Sequence, residues 1–286
     1  MLVVAALRWV DPRPTVDPLT AAVHPDPLAS GAGPADRCAL EYALRIAEAT
    51  AGRCVALTVG PPPAEAMLRE ALAAGADEAL RVAPAAQHEA AAGDEAATAG
   101  AIADAVRDRL RGADLVLCGD RSLDRGTGAT PAFLADRLGA AQALGLVELS
   151  LDGARLRALR RLDGGRRERL VIDPPAVCSV EPATAARLRR APLPAVLAAR
   201  RAKIPVHTPP DPVRPRIRVG AVRPYRPRPR PCPTPEGTAH ARMLALTGAL
   251  IDRTPPRMVA PPDPASAADE LLAFLGEHGY LPGEWP

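Results

Sequence analysis

An alternation of apolar and helical segments through the first 140 residues constrains the fold most. Residues 2–9 form a largely apolar run that ends in a turn at Asp11-Pro12, which is typical of a strand buried on both faces. Further strands are predicted at 53–59, 79–83 and 114–118, and helices at 34–51, 64–74, 96–111 and about 127–138. Strands that alternate with helices of this length predict crossover connections and a parallel sheet.

The pattern changes after residue 140. Segments 155–161 and 168–172 flank Asp163-Gly164-Gly165, which predicts a β-hairpin, and one more strand follows at 176–180. A short helix is predicted at 193–201. Recurrent prolines from 207 to 235 exclude a helix or a central strand and favour an extended strap. Two tail helices are predicted at 237–251 and 266–276, the second with Ser266 as its N-cap and Asp269 three residues later.

These segments predict an α/β fold with a doubly wound, mostly parallel, Rossmann-like sheet of the type that binds adenine nucleotides. A hairpin insertion and an extended C-terminal arm complete the expected fold. We expect three parts: a nucleotide-binding domain at 1–205, a Pro/Arg-rich strap with one helix at 206–262, and an arm helix at 263–286.

Composition restricts which residue types can form the core, and local sequence features indicate the cellular location. Hydrophobic residues make up 48% of the chain and aromatic residues 2%, so the core must consist of Ala, Val and Leu. The five cysteines lie at least 16 residues apart, which excludes a CxxC pair, and three lie within apolar runs typical of buried thiols. The N-terminus lacks the features of a signal peptide, and no apolar stretch approaches the ~20 residues of a membrane span. We therefore expect a cytoplasmic protein.

Positive charge is concentrated in one segment. Residues 200–230 contain ten Lys or Arg and one Asp, a net charge of +9, whereas the whole chain carries +3. The remainder of the chain is therefore acidic and the strap is basic. Arg226-Pro227-Arg228-Pro229-Arg230 could contact nucleic acid, but Tyr225 alone is available there for base stacking, so a solvated tether is the other interpretation.

Signatures of hydrolytic and metal chemistry are missing from the sequence. It contains neither GxSxG nor HExxH, and its five histidines are scattered, mostly in polar or proline-rich stretches, so we interpret them as surface residues. The carboxylates fall mainly on predicted helix faces and in loops. A hydrolase and a metal site therefore receive little support.

Three predicted strand ends could form a binding site, because ligands of doubly wound sheets bind beyond the carboxyl ends of the strands. These ends lie at 8–12, at 59–61 and in the loop 119–130, which reads GDRSLDRGTGAT. Small residues before a helix N-terminus allow backbone N–H groups to bind phosphate. The alternative is an ordinary strand-to-helix loop in which Asp124 and Thr127 cap the helix.

Six motifs in order resemble the β subunits of electron-transfer flavoproteins. Residues 4–12 resemble the VAVKRVxD start of that family, and residues 34–48 its first helix. The most specific stretch combines 58–61 with 68–77, which resembles TxGP followed by LREALAMGAD. The other three motifs are 114–139, the DGGxE signature at 163–168, and the LPxIMKAKKK segment at 193–204. Beyond these six, the similarity returns in an arm helix at 266–275.

The sequence departs from the family pattern at several positions close to flavin or nucleotide phosphate in the family. Gly33 and Ala35 replace an Asn and a Phe around Pro34, and Gly126 and Ala129 replace an acid and a Gln in the 119–130 loop. These departures indicate a divergent branch, and we consider an actinobacterial branch associated with mycofactocin systems.

The resemblance implies an electron-carrier subunit without substrate catalysis of its own. Its α-subunit partner would share FAD with it, and AMP or a second FAD would bind in this chain. Electrons would pass from a donor dehydrogenase to a quinone oxidoreductase acceptor and the respiratory chain. Together with the strand ends, the resemblance predicts cofactor contacts at Ala6, Arg8, Val59, Gly119, Ser122, Asp124, Gly126, Thr127, Gly128, Ala129 and Thr130.

The resemblance also predicts partner docking through Leu193 and Pro194 and through Leu271 and Phe274 of the arm helix. In the family, the loop that contains the Leu193 position docks on dehydrogenases. The alternative for Leu193 is a core residue that caps the sheet. A universal-stress-type nucleotide-binding domain has the same strand–helix alternation and remains a second class, and nucleic-acid binding through the strap remains a third.

Overall fold

The structure, a computed structural model, describes residues 1–83, 94–153, 155–182, 186–209, 220–226, 236–247 and 258–280. The chain divides into two units, Met1–Arg226 and Pro227–Pro286. Most of the predicted strap lies outside the described residues, as do residues 248–251 of the predicted helix 237–251.

The first unit contains the alternating elements. In chain order they are β1 (Leu2–Ala6), β2 (Trp9–Val10), β3 (Thr15–Val16), β4 (Val23–His24), β5 (Gly31–Ala32), α1 (Pro34–Ala49), β6 (Arg53–Val59), α2 (Glu65–Ala74), β7 (Glu78–Val82), α3 (Glu95–Leu110), β8 (Leu115–Gly119), α4 (Thr130–Leu138), β9 (Ala141–Asp152), β10 (Arg155–Arg161), β11 (Arg167–Ile172), β12 (Ala176–Val180), α5 (Leu193–Arg201) and β13 (Val206–His207).

The described residues form a nine-stranded sheet of order β11-β10-β9-β12-β8-β1-β6-β7-β13. Neighbouring strands in the run β9-β12-β8-β1-β6-β7-β13 are parallel. At the other edge, β10 pairs antiparallel with both β9 and β11. The predicted mostly parallel α/β sheet is therefore confirmed. The predicted hairpin is the pair β10 and β11, and it extends the same sheet.

The core lies on both faces of this sheet. Along β1, Val3 and Ala5 pack in one hydrophobic cluster with α1 and α2, and Val4 packs in a second with α3 and α4. Small residues on the helices, such as Ala39 and Ala103, have no exposed surface and let the helices approach the strands closely. Each fully buried Val or Leu contributes roughly 1.5–3 kcal/mol. Aliphatic residues thus form most of the core.

Three predictions for the first unit differ from the structure. The apolar run 2–9 is not one strand, because the chain leaves the sheet after Ala6, and β2 pairs antiparallel with β5. Strand β9 was not predicted, although residues 147–152 (VELSLD) alternate between apolar and polar side chains. Its first half, 141–146, is defined by its pairing with β12. The surface interpretation is wrong for His207, which is 7% exposed on the edge strand β13.

The second unit contains two described helices, α6 (Ala239–Thr247) and α7 (Pro264–Glu277). The N-cap of α7 is Asp263 and not Ser266, because the Asp263 carboxylate accepts hydrogen bonds from the backbone N–H groups of Ala265 and Ser266. Pro264 at the first helical position is compatible with this start. No residue of α7 is buried.

Candidate nucleotide-binding cleft

The carboxyl ends of three neighbouring strands meet at one small cleft. Strand β1 lies between β6 and β8, and all three run parallel, so Ala6, Val59 and Gly119 come to the same edge of the sheet. The cleft has a volume of about 70 Å³. Eight of the eleven predicted cofactor contacts line it: Ala6, Arg8, Val59, Gly119, Ser122, Thr127, Gly128 and Thr130.

The loop between β8 and α4 is a compact turn held by its own hydrogen bonds. The Ser122 N–H donates to the Thr127 carbonyl at 2.8 Å, and the Gly126 N–H donates to the Ser122 carbonyl at 2.8 Å. A Cβ on Gly128 would lie 2.1 Å from the carbonyl oxygen of Asp120, so this close approach of two backbone segments requires glycine. Among the described residues, the backbone N–H groups of Thr127 and Gly128 have no acceptor. They are therefore available to a bound anion.

Asp124 orients an arginine and does not cap the following helix. Helix α4 begins at Thr130 after Ala129 and has no side-chain cap, so the capping interpretation of Asp124 and Thr127 is wrong. Asp124 instead accepts two hydrogen bonds from Arg8, Nε to Oδ1 at 2.9 Å and Nη2 to Oδ2 at 2.7 Å. Although burial opposes the shift, these bonds hold the pKa of Asp124 below its usual range. The pair fixes the guanidinium at the cleft.

Glu95, a second carboxylate that was not predicted, lies at the same loop. It begins α3, lines the cleft, and accepts a hydrogen bond from the Ala129 N–H at 2.6 Å. Of the three predicted contacts outside the lining, Ala129 is thus bonded to Glu95 and Asp124 to Arg8. Gly126 forms the left-handed turn of the loop, with φ of +65°.

Asp36 is a further cleft residue that was not predicted from the sequence. It is the third residue of α1 and 6% exposed; its carboxylate accepts a hydrogen bond from the Arg8 N–H at 3.4 Å and lies beside the backbones of Gly119 and Gly33. An acid at this helix position commonly reaches back to the N-cap, so Gly33-Pro34 followed by Asp36 was a usable signal. Burial raises the pKa of Asp36 to about 7. The carboxyl therefore titrates near neutral pH.

The lining presents donor groups of the kind that bind phosphate. Backbone N–H groups at Thr127 and Gly128, the hydroxyls of Ser122 and Thr130, and the Arg8 guanidinium are donors suited to phosphate and ribose. Small-molecule sites usually enclose roughly 300–1,000 Å³, so a nucleotide in this cleft must extend beyond it or displace side chains of the loop.

The predicted docking residues lie on exposed helix surfaces. Leu193 is the first residue of α5 and 69% exposed, so its interpretation as a core residue is wrong. Pro194 follows it in the first turn. In the second unit, Leu271 is 57% and Phe274 42% exposed on α7.

The described part of the chain offers no candidate for a metal site or for a membrane-spanning helix. No group of three or more His, Cys, Asp or Glu residues there could hold a metal ion. Within the same residues, no helix combines the length and the apolarity needed to cross a membrane.

Comparison with known proteins matches a region that contains the cleft residues from Asp36 to Pro131, whereas Ala6, Leu7 and Arg8 precede it. The profile of a family described as "Electron transfer flavoprotein domain" matches residues 29–212. An electron transfer flavoprotein subunit beta of Thermoanaerobacterium thermosaccharolyticum is 34% identical over 150 residues, which cover 52% of this chain and 56% of the relative. Protein FixA of Azorhizobium caulinodans is 33% identical over 156 residues, 52% of this chain and 54% of the relative.

A third relative is named for an assembly with a reductase. The "Caffeyl-CoA reductase-Etf complex subunit CarD" of Acetobacterium woodii is 36% identical over 124 residues, which cover 43% of this chain and 46% of the relative. The chain thus spans about half the length of the curated relatives it matches.

Proposed function

The chain belongs to the electron transfer flavoprotein family, and we propose that it is the β-type subunit of a two-subunit electron carrier. The carrying observation is the convergence of Ala6, Val59 and the 119–130 loop at one edge of the sheet. Both the geometry and the matched family support a nucleotide-binding subunit. Of the three classes considered from sequence, this one has the support of the comparisons.

The cleft would hold an adenine nucleotide, AMP or the adenylate part of FAD. The N–H groups of Thr127 and Gly128 would bind phosphate, Arg8 would donate a further hydrogen bond from the N–H groups that Asp124 leaves free, and the ends of β1 and β6 would contact the base or ribose. A bound flavin would supply the redox chemistry. The contribution of this chain is binding and orientation.

An α subunit would share the FAD, and a dehydrogenase would deliver electrons that pass on to a quinone oxidoreductase and the respiratory chain. Leu193 supports a docking role because it is exposed at the start of α5 between Pro192 and Pro194. A side chain held on a stiff backbone loses little entropy when a partner buries it. The exposed apolar residues of α7, which include Leu271 and Phe274, would contact the α subunit.

Co-expression with a flavoprotein α subunit tests this proposal. The complex is purified under gentle conditions, its visible spectrum is recorded, and the nucleotides released by denaturation are identified by mass spectrometry. We expect one flavin per complex and, in addition, AMP or a second FAD. A complex that contains neither flavin nor adenine nucleotide would show that the function is wrong.

A further inference from the structure

A second and larger cavity lies away from the nucleotide cleft. It has a volume of about 930 Å³ and opens between α1, α2, α5 and the segment 186–191 that precedes α5. This volume is near the upper end of the range typical of small-molecule sites. None of its lining residues belongs to the nucleotide cleft.

Two arginines fix the walls of this cavity. Arg189 donates to Glu41 of α1 through its backbone N–H at 3.0 Å and its side chain at 3.1 Å, and it also pairs with Glu48. Arg69 of α2 pairs with Glu65 at 3.0 Å and donates to the Ala202 carbonyl after α5 at 3.3 Å. The hydrogen-bonding groups of these two arginines are occupied by protein partners. Their bonds connect α1 with the segment before α5, and α2 with the residue after α5.

Three further arginines line the cavity without a partner. Arg37, Arg187 and Arg200 have no hydrogen bond or ion pair through their side chains among the described residues. Glu70 is the one acid in the lining. Unpaired guanidinium groups around a concavity attract and bind anions, in particular carboxylate and phosphate groups.

The remaining lining is mostly apolar. Ala73, Ala74 and Ala199 are buried, and Leu188 and Val196 are half-buried, so the small side chains leave room for an apolar body. Arg200 lies one turn along α5 from Val196, and therefore on the same helix face, whereas Leu193 is not in the lining. The proposed docking residue is therefore not one of the lining residues.

We propose that this cavity binds an amphipathic organic anion, with a carboxylate or phosphate head at Arg37, Arg187 and Arg200 and an apolar body on the alanine-rich floor. A small inorganic anion would not need the concave apolar surface. A purely apolar ligand would not need three unpaired arginines. The combination selects molecules that have both features. The site is independent of nucleotide binding at the other cleft.

Calorimetric titration of the full chain tests the site with octanoate, octyl phosphate, inorganic phosphate and octanol. We expect both amphipathic anions to bind more tightly than phosphate or octanol, and the tighter of the two identifies the preferred head group. Equal affinity for octyl phosphate and inorganic phosphate would reduce the site to charge alone and overturn the proposal.

Variants locate the binding. The double variant Arg187→Gln/Arg200→Gln is expected to weaken the preferred anion about tenfold or more, because charge-assisted hydrogen bonds are lost. Arg190→Gln/Arg201→Gln removes the same charge at neighbouring positions outside the lining and should leave the affinity unchanged. Equal weakening by the two pairs would show a nonspecific charge effect and refute the assignment.

A filling variant and an acidic peptide complete the test. Ala66 is exposed on α2 and lines the cavity, so Ala66→Trp should fold and lower the affinity for octyl phosphate toward that for inorganic phosphate. Unchanged octyl phosphate affinity would contradict a site for the apolar body. If hexaglutamate bound through Arg187 and Arg200 and the amphipathic anions did not, the cavity would be a docking groove for acidic protein segments, and the proposal would be wrong.

Discussion

The buried carboxyl of Asp36 is expected to make the stability of the protein fall as the pH rises. Asp36 is 6% exposed, and burial raises its pKa from 3.8 to about 7, although the N–H groups of Arg8, Gly119 and Gly33 favour the charged form. In the unfolded chain the carboxyl ionises at the ordinary pKa. The folded state therefore binds a proton that the unfolded state has lost, in the window between about pH 4 and 7.

The direction and magnitude follow from this shift. The stabilisation is fully present below the unfolded pKa, and it is lost as the pH rises through the folded pKa of Asp36. The full shift corresponds to about 4 kcal/mol at ~1.36 kcal/mol per pKa unit. Between pH 5 and pH 8, the part that is lost is about 2.5 kcal/mol.

Urea unfolding at pH 5 and pH 8 measures this loss for the wild type, for Asp36→Asn and for Asp114→Asn. Asp36→Asn cannot ionise, so it should show a smaller decrease than the wild type by about 2.5 kcal/mol. Asp114 is an exposed carboxylate that also accepts a backbone hydrogen bond, from the Leu2 N–H at 2.7 Å, and its Asn variant should retain the wild-type dependence. The same decrease in the wild type and in Asp36→Asn would refute the reasoning.

Three further predictions concern the proposed function. Gly128→Ala should lower the nucleotide content of the complex, because its Cβ would lie 2.1 Å from a backbone carbonyl oxygen, whereas Gly31→Ala, which meets open space, should not; equal nucleotide contents by mass analysis would contradict this role. Leu193→Ala should weaken donor docking about ten- to a hundredfold while flavin content and Tm stay near wild type, since burying a leucine contributes roughly 1.5–3 kcal/mol; intact electron transfer from the cognate dehydrogenase would exclude the anchor. Truncation after Pro262 should weaken association with the α subunit, while the circular dichroism spectrum should show that the remaining chain is still folded. Unchanged association in a pull-down titration would show that α7 is not a partner contact.

The strand–helix alternation could be predicted from sequence because it depends on local signals. Apolar runs, helical spacing and stop signals such as Gly75 and Gly139 act within a few residues of the chain. Parallel pairing then follows from the helical crossovers, and it brings Ala6, Val59 and Gly119 to one edge. For this reason, most of the predicted cofactor contacts line the same cleft.

Local signals failed where a second segment decided the outcome. The first half of strand β9, residues 141–146, is defined by its pairing with β12, whereas the alternation at 147–152 is a local signal that the prediction left out. Asp124 is a residue type that often caps helices, but its carboxylate instead accepts hydrogen bonds from Arg8, which is 116 residues away in sequence. The charge on a side chain is satisfied by whichever partner the fold brings near, and spacing in the sequence does not encode that partner.

The amino-acid sequence by itself determined the fold class, the three strand ends and the loop that could bind phosphate. The tertiary structure decided the environment of each group: it buried Asp36 among backbone donors and left Arg187 and Arg200 unpaired beside an apolar cavity. The reason is physical. Secondary structure depends on interactions over a few residues, whereas burial, ion pairing and cavities depend on which distant segments the packed core places together.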